Sequence, residues 1–333
     1  MINGSLVVNY KIFLKNKIFN IKNSFASLEA FYFLKKTFLK HGINLATQDI
    51  NSPENSSFVI FNDIPHNLKK IPQNSYLILW ESEVIIQENW NKKNHIHFKK
   101  IFTWNDDLVD NIKYFKIFFP HSLTIKYDGE LKKNFICMIT SNKRSNHKNE
   151  LYSQRLNIIK WYENLKAGQF QFYGNGWDRL NLNNRYLNFI FRKTKLDILF
   201  SINYFNYQGR IESKSKIMNT YVFSFCLENA YDYNGYITEK IFDCFASLTI
   251  PIYKGPPNTL QFIPKECFID YDRFNSLEEL NCYLRSLSDK DIEEYQNSIL
   301  TFINSKKSKI FSHKYFVKSI VDEIIKDLNR QQS

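Results

Sequence analysis

Short apolar runs alternate with amphipathic stretches along most of the chain, a pattern that predicts an α/β protein. In the first part, a helix is predicted over Ser27–Lys40, where apolar residues fall near helical spacing. The strands predicted there are Ser5–Phe13, Ile43–Ala46, Phe58–Phe61, Tyr76–Trp80, Ile101–Trp104 and Phe115–Phe119.

The same alternation continues after Lys126–Asn134, a lysine-rich and strand-poor stretch that we take as a boundary between domains. The strands predicted beyond it are Phe135–Ile139, Phe170–Tyr173, Val222–Leu227 and Ile250–Tyr253, and the helices are Glu150–Asn164, Lys214–Asn219 and Thr238–Ser247, with further helices from Leu277 onward. We therefore expect two Rossmann-like domains that face a cleft, over residues 1–130 and 131–300.

The last segment, residues 301–333, is predicted to be a basic amphipathic helix. The residues of its apolar face are Phe316, Val317, Ile320, Val321, Ile324, Ile325 and Leu328. We expect this face to pack on the body of the protein. The alternative is contact with a membrane surface, aided by the nearby cations Lys306, Lys307, Lys309 and Lys314.

The 333 residues include 45 Lys and Arg against 33 Asp and Glu, which gives a net charge of +12. This excess favours an anionic partner: nucleic acid, a membrane surface or a phosphorylated substrate. The five widely spaced cysteines predict reduced, mostly buried thiols. No stretch approaches the roughly 18 apolar residues of a membrane span, and the first residues lack the apolar core of a signal peptide. We expect a cytoplasmic protein, at most peripheral to a membrane.

The most informative segment is Phe223–Pro264, a predicted strand that ends in Glu228-Asn229, followed by a loop and a helix beginning near Thr238. Ligands of open α/β sheets bind beyond the carboxyl ends of strands, and a helix N-terminus suits phosphate. Lys240 can meet a pyrophosphate there, and Glu239 can accept hydrogen bonds from ribose hydroxyls. The alternative is that these residues are an exposed helix cap with solvated charges.

This segment resembles the signature of the α1,3-fucosyltransferase family. The matching parts are Glu228-Asn229, residues 235–240 (Gly-Tyr-Ile-Thr-Glu-Lys) and Ile250–Pro256. Family members usually have tryptophan before the glycine of the last part, where this chain has Lys254. The resemblance implies a GT-B fold, a donor-binding second domain, GDP-fucose as donor and inversion at the fucose anomeric carbon. We expect no metal and no other cofactor.

The resemblance also implies roles for individual residues. In the donor domain it implies that Arg155, within Tyr152-Ser153-Gln154-Arg155, contacts the donor phosphates. We expect the donor to be bound by Arg155, Glu228, Asn229, Tyr236, Thr238, Glu239 and Lys240, with Lys214 and Lys254 as weaker candidates. Tyr236 and Glu239 would hold the ribose and orient the nucleotide.

The first domain contains the run Leu77–Glu83, which resembles the family strand that ends in Glu-Ser. Glu81 matches the family glutamate and is the expected general base, because transfer requires deprotonation of a sugar hydroxyl. Glu83 is a weaker candidate. As residues i and i+2 of a strand, Glu81 and Glu83 would share one face and could raise each other's pKa.

Two groups of residues have the spacing of metal ligands, but neither is expected to bind a metal. Asp270-Tyr271-Asp272 is formally a DxD pair, yet the family has a similar run without a metal role. His95-Ile96-His97 would place two imidazoles on one strand face, with no third ligand evident nearby.

These observations predict a metal-independent, inverting fucosyltransferase that acts on a glycan. The expected acceptor contains N-acetylglucosamine and is part of a lipopolysaccharide or an oligosaccharide, with an α1,3 linkage. One alternative is a GT-B enzyme with another nucleotide sugar. The other is a non-enzymatic polyanion-binding protein, which we disfavour because the chain lacks a continuous basic run with interleaved stacking aromatics. We expect no nucleic-acid partner.

Overall fold

The chain folds around two parallel β-sheets, one in each of two units. The computed structural model describes residues 2–21, 28–68, 70–166, 168–182, 184–200 and 202–332. The first unit comprises residues 1–122, 233–239 and 308–333, and the second comprises residues 123–232 and 240–307.

The sheet of the first unit has six strands in the order β2-β1-β3-β4-β5-β6, and all neighbours are parallel. Its central strands are almost fully buried, as their continuous apolar sequences predict. The strands are β1 (Ile2–Val8), β2 (Ile43–Thr47), β3 (Phe58–Asn62), β4 (Ser75–Leu79), β5 (Lys100–Thr103) and β6 (Tyr114–Lys116).

The sheet of the second unit has five strands in the order β11-β10-β9-β7-β8, again all parallel. The long strand β9 lies between β10 and β7. The strands are β7 (Asn134–Ile139), β8 (Phe170–Tyr173), β9 (Tyr221–Leu227), β10 (Ile250–Lys254) and β11 (Ile269–Asp270).

Helices connect the strands and follow the second sheet. They are α1 (Glu29–Lys40), α2 (Tyr152–Leu165), α3 (Arg185–Thr194), α4 (Leu196–Leu199), α5 (Lys214–Met218), α6 (Glu239–Ala246), α7 (Thr259–Phe262), α8 (Leu277–Ser286), α9 (Asp289–Asn304) and α10 (His313–Gln332). None of the helices in the described residues is long and apolar enough to cross a membrane.

The C-terminal helix α10 is part of the first unit. Its apolar residues, Phe316, Ile320 and Ile324 among them, are buried in one cluster with Phe31 and Phe38 of α1. Beside this cluster, Lys100 of β5 forms ion pairs of 2.9 Å with Glu323 and with Asp327. The expected packing of α10 on the body is confirmed, and its apolar face is therefore not available to a membrane surface.

The core of the second unit lies between its sheet and the surrounding helices. Ile158 and Ile159 of α2 are buried in one cluster with Phe170 and Phe172 of β8 and Phe225 of β9. Tyr162 stacks on Phe170 with ring centroids 4.5 Å apart. Four of the five cysteines are buried and all five are free thiols, as the sequence predicts.

Most elements lie within a few residues of their predicted positions, but several predictions were wrong. Strand β1 begins earlier and ends at Val8, and Lys11–Phe13 is a short 3₁₀ turn in which Ile12 is exposed. His95 and His97 lie in a 3₁₀ segment, Lys92–His97, rather than on a strand face. Helices α3 and α4 were not predicted. The predicted helix start at Ser27 lies outside the described residues.

Candidate active site

The candidate base Glu81 lies just beyond the carboxyl end of β4. Asp63, the residue after β3, accepts two main-chain hydrogen bonds there through Oδ1, from the N–H of Trp80 at 2.7 Å and of Glu81 at 3.0 Å. The Glu81 carbonyl accepts from Asn89 Nδ2 at 3.1 Å and from the Trp90 indole at 3.2 Å. Both the N–H and the carbonyl group of Glu81 are therefore hydrogen-bonded to other residues.

Glu81 and Glu83 do not share a strand face, which corrects the expectation from their spacing. Strand β4 ends at Leu79, and Glu83 lies in a turn where the Ser82 carbonyl accepts the N–H groups of Ile85 and Ile86. Glu83 accepts a hydrogen bond of 2.8 Å from the Tyr233 hydroxyl. The two half-buried carboxylates thus have different surroundings.

The negative charge of the Glu81 side chain acts on the Tyr10 hydroxyl. Burial raises the pKa of Tyr10, and the charges of Glu81 and Asp63 raise it further. Of these two carboxylates, only Glu81 was predicted as a functional residue. Asp63 and Asn89 were missed, although Asp63 directly follows an apolar strand, where ligand-binding side chains are common.

The loop Tyr233–Glu239 of the signature belongs to the first unit. A Cβ atom on Gly235 would lie 2.3 Å from the Trp104 carbonyl oxygen, so this close approach, together with a φ of +85°, requires glycine. Tyr236 is 2% exposed, and its ring packs on Trp104 and Phe119 at centroid distances of 4.5 and 5.8 Å. Thr238 is also buried, and Glu239 begins α6.

In the second unit, a fully buried carboxylate follows strand β9. Glu228 accepts a hydrogen bond of 3.1 Å from the Tyr253 hydroxyl through Oε1 and forms an ion pair of 2.9 Å with Lys240 through Oε2. Burying a carboxylate is costly unless it is paired and hydrogen-bonded, and these two partners meet that requirement. The structure therefore brings together two of the predicted donor-site residues.

Arg155 lies on α2 at the same end of β9 and is 7% exposed. Its Nη2 donates to the carbonyls of Leu227 at 2.8 Å and Glu228 at 2.6 Å, and to Asn229 Oδ1 at 3.1 Å. The guanidinium group therefore holds the main chain at the strand end. Arg155, Glu228, Asn229 and Lys240 form one connected group.

The two weaker lysine candidates have acidic partners. Lys214 pairs with Asp243 at 2.7 Å. Lys254 pairs with Asp272, and its ammonium lies 5.7 Å from the ring centre of Tyr231 and 5.6 Å from that of Tyr271. Of the DxD carboxylates, Asp270 accepts from the Asp272 N–H at 3.0 Å.

A model of the C-terminal part of glycosyltransferase family 10 (fucosyltransferase) matches residues 130–299, which are 170 of the 333 residues. The chain belongs to this family. The matched stretch contains the connected group around Glu228 and the whole of the signature. It does not include Glu81.

Individual fucosyltransferases resemble the chain over shorter segments. An α-(1,3)-fucosyltransferase of Helicobacter pylori is 35% identical over 77 residues, which are 23% of this chain and 16% of that protein. An α-(1,4)-fucosyltransferase of Arabidopsis thaliana is 36% identical over 75 residues, 22% of this chain and 18% of that protein. The matches thus span less than a fifth of the length of these two relatives.

Solved structures resemble the chain over nearly its whole length. A crystal structure of an α1,3-fucosyltransferase with GDP superposes with a TM-score of 0.56 at 14% identity, covering 98% of this chain and 91% of that one. An α-glucosyltransferase in complex with UDP and DNA gives 0.55 at 12% identity, covering 97% of this chain and 99% of that one. At such identities the likeness concerns the fold alone, and the expected GT-B fold class is confirmed.

The carboxyl group of Asp63 should make stability depend on pH. Burial raises its pKa from 3.8 to about 6. Between these values the folded protein keeps a proton that the unfolded chain has lost, so the contribution of this group to stability falls as the pH rises toward 6. Asp63→Asn cannot ionise.

We expect the melting temperature of Asp63→Asn, relative to wild type, to increase between about pH 5 and about pH 7.5. Thermal unfolding of both proteins in both buffers measures this difference. A difference that does not change with pH would contradict the raised pKa.

Proposed function

We propose that the chain transfers L-fucose from GDP-fucose to a hydroxyl group of a glycan acceptor, with inversion at the anomeric carbon. The observation that carries this proposal is the group formed by Arg155, Glu228 and Lys240 within the family match. It combines two cations with a buried carboxylate at the carboxyl end of a central parallel strand, where nucleotides bind in open α/β sheets.

The cations would bind the donor diphosphate. Transfer leaves GDP as the leaving group, and fixed positive charge stabilises the negative charge that develops on its phosphate oxygens. Lys240 would supply that charge at the start of α6, held in place by Glu228. Arg155 would add to it, while also holding the strand end. For Asn229, Tyr236, Thr238 and Glu239 we propose contacts to the rest of the nucleotide, with Glu239 on the ribose.

Glu81 would act as the general base. In a single displacement, the acceptor oxygen attacks the anomeric carbon, the bond to GDP breaks, and the hydroxyl proton passes to the Glu81 carboxylate. One displacement inverts the configuration. We propose no metal and no other cofactor, because lysine and arginine would provide the charge that a divalent ion provides in other nucleotide-sugar enzymes.

We propose an acceptor that contains N-acetylglucosamine, as in a lipopolysaccharide or an oligosaccharide, with an α1,3 linkage and a cytoplasmic location. The names of the relatives include both α-(1,3) and α-(1,4) transfer, so the product linkage has to be determined. We disfavour a non-enzymatic polyanion-binding function, which predicts strongly salt-dependent binding and no requirement for Glu81.

The second candidate function is transfer from another nucleotide sugar, since UDP-using glucosyltransferases have the same fold. Incubation of the protein with GDP-fucose, GDP-mannose or UDP-sugars and a panel of glycan acceptors tests both. The measurement is release of nucleoside diphosphate together with mass spectrometry of the product. Transfer from GDP-mannose or a UDP-sugar in preference to GDP-fucose would replace the proposed function.

Lys240→Gln should weaken GDP binding and lower the melting temperature, because buried Glu228 loses its cation, in a protein that still folds. Glutamine can still donate a hydrogen bond to Glu228 but lacks the positive charge. Charge-assisted hydrogen bonds are worth roughly 1.5–3 kcal/mol, so GDP affinity should fall about ten- to a hundredfold by calorimetry. Lys290→Gln, on α9, is the control, because Lys290 also has an acidic partner, Glu294. Equal GDP affinity in Lys240→Gln and wild type would remove Lys240 from the donor site.

Transfer should survive EDTA, since the proposed charge at the leaving phosphates comes from side chains. The measurement is GDP release with EDTA, without addition, and with Mn²⁺. Activity that disappears with EDTA and returns with Mn²⁺ would contradict this prediction and would direct attention to Asp270 and Asp272.

Glu81→Gln should fold, bind GDP and lose most transfer, because an amide cannot accept the proton. General-base catalysis contributes roughly 10²- to 10⁴-fold, which sets the expected loss in kcat. Glu83→Gln is the matched control, since its amide oxygen can still accept from Tyr233. If Glu83→Gln is inactive and Glu81→Gln is active, the assignment is shifted by two residues. If both are active, the base lies elsewhere.

A further inference from the structure

A single carboxylate oxygen extends the β3–β4 ladder beyond the end of β3. The last ladder pair is Asn62 with Ile78, and the Asp63 N–H still donates to the Ile78 carbonyl at 2.9 Å. The main chain then turns away, with a φ of +66° at Asp63. Asp63 Oδ1 accepts two N–H groups just beyond the end of the neighbouring strand β4, those of Trp80 and Glu81. A side chain thus replaces the missing main-chain acceptors.

The Asn89 side chain bonds to the residues that follow both strands. Its Nδ2 donates to Asp63 Oδ1 at 2.6 Å and to the Glu81 carbonyl at 3.1 Å, and its Oδ1 accepts from the Ile64 N–H at 2.9 Å. The residue is fully buried. It therefore links the peptide after β3 to the peptide after β4.

His95 fixes the main chain at Asn89. Burial lowers the pKa of His95, which favours the neutral ring. The ring Nε2 lies 2.7 Å from the Asn89 carbonyl oxygen, which can only accept, so Nε2 carries the proton. Nδ1 then accepts from the Tyr114 hydroxyl at 3.0 Å. His95 thus has a structural role, in which it donates a hydrogen bond to the main chain of Asn89.

We propose that Asp63 and Asn89 are positioning residues that hold the main chain of Glu81 so that its carboxylate can receive the acceptor proton. This inference rests on the proposed function. A general base must lie within hydrogen-bond reach of the proton that it removes, and misplacement by about 1 Å can cost about a hundredfold in rate. The side chain of glutamate is long, so an anchored main chain limits where its carboxylate can lie.

Two substitutions at Asp63 distinguish the effect of losing the hydrogen-bond acceptor from the effect of losing the negative charge. Asp63→Gly removes the carboxylate without strain, because glycine tolerates the positive φ. Asp63→Asn loses the charge but keeps an oxygen at the position of Oδ1, the atom that accepts all three hydrogen bonds.

Asp110 provides the matched control within the first unit. Its Oδ1 also accepts three hydrogen bonds, from the N–H groups of Ile112, Lys113 and Tyr114 at 2.8–2.9 Å. Asp110→Gly therefore removes three hydrogen bonds from an exposed turn outside the group formed by Asp63, Asn89 and Glu81.

The first measurement is hydrogen–deuterium exchange by mass spectrometry of a peptide that contains Trp80 and Glu81. We expect faster exchange there in Asp63→Gly, and wild-type protection in Asp63→Asn and Asp110→Gly. This readout requires no transfer activity. Unchanged protection of this peptide in Asp63→Gly would overturn the proposal whatever the activity of the protein.

The second measurement separates kcat from KM for GDP-fucose. We expect kcat to fall about ten- to a hundredfold in Asp63→Gly, with an unchanged KM, and to stay within about threefold of wild type in Asp63→Asn and Asp110→Gly. Wild-type kcat in Asp63→Gly, or an equal loss in Asp63→Asn, would overturn the positioning role. If wild-type protein transfers no fucose, both the proposed function and the catalytic part of this proposal are wrong. Hydrogen–deuterium exchange then still shows whether Asp63 holds the main chain of Glu81.

Discussion

The end of a parallel strand leaves main-chain groups that the ladder no longer bonds, and a buried group without a partner is costly. Each unit meets this constraint with one buried charged side chain. In the first unit, Asp63 accepts two N–H groups beyond β4. In the second, Arg155 donates to two carbonyls at the end of β9. The main chain held in this way belongs to Glu81 in the first unit and to Glu228 in the second, and both residues were predicted to be functional.

The buried carboxylates of Glu228 and Asp63 have different electrostatic surroundings. Glu228 has a cation, Lys240, and a hydroxyl as partners, and removing one partner of a buried ion pair typically costs about 3–5 kcal/mol. The hydrogen bonds that lower the pKa of Asp63 come from neutral donors, the peptides of Trp80 and Glu81 and the amide of Asn89. Burial outweighs these bonds and raises the pKa. A substitution near Glu228 therefore affects both stability and ligand binding, whereas Asp63 permits a neutral replacement of nearly the same shape.

Sequence reasoning succeeded where the signal is local. Buried parallel strands such as β4 and β9 are apolar runs, and Glu228 and Lys240 lie within one short motif. It failed where partners are distant along the chain: Asp63 meets Glu81 across 18 residues and Asn89 across 26. An aspartate after a strand and an asparagine in a polar loop resemble ordinary turn residues, and only the folded sheet edge brings them together. For the same reason, the sequence predicted that α10 packs on the body of the protein but not that it packs against α1.

The structure also divides the signature that identifies the family. Its flanking parts, with Glu228 and Lys240, belong to the second unit, while Tyr233–Glu239 belongs to the first. Within that loop, Gly235 is required by its approach to Trp104, and the Tyr236 ring fills space beside Trp104 and Phe119. These two residues therefore have a packing role that does not depend on any ligand. A motif indicates the family, but the role of each residue in it has to be argued from its own contacts. Those of Tyr236 are with packed aromatic rings, whereas those of Lys240 and Arg155 are with polar groups at the carboxyl end of β9.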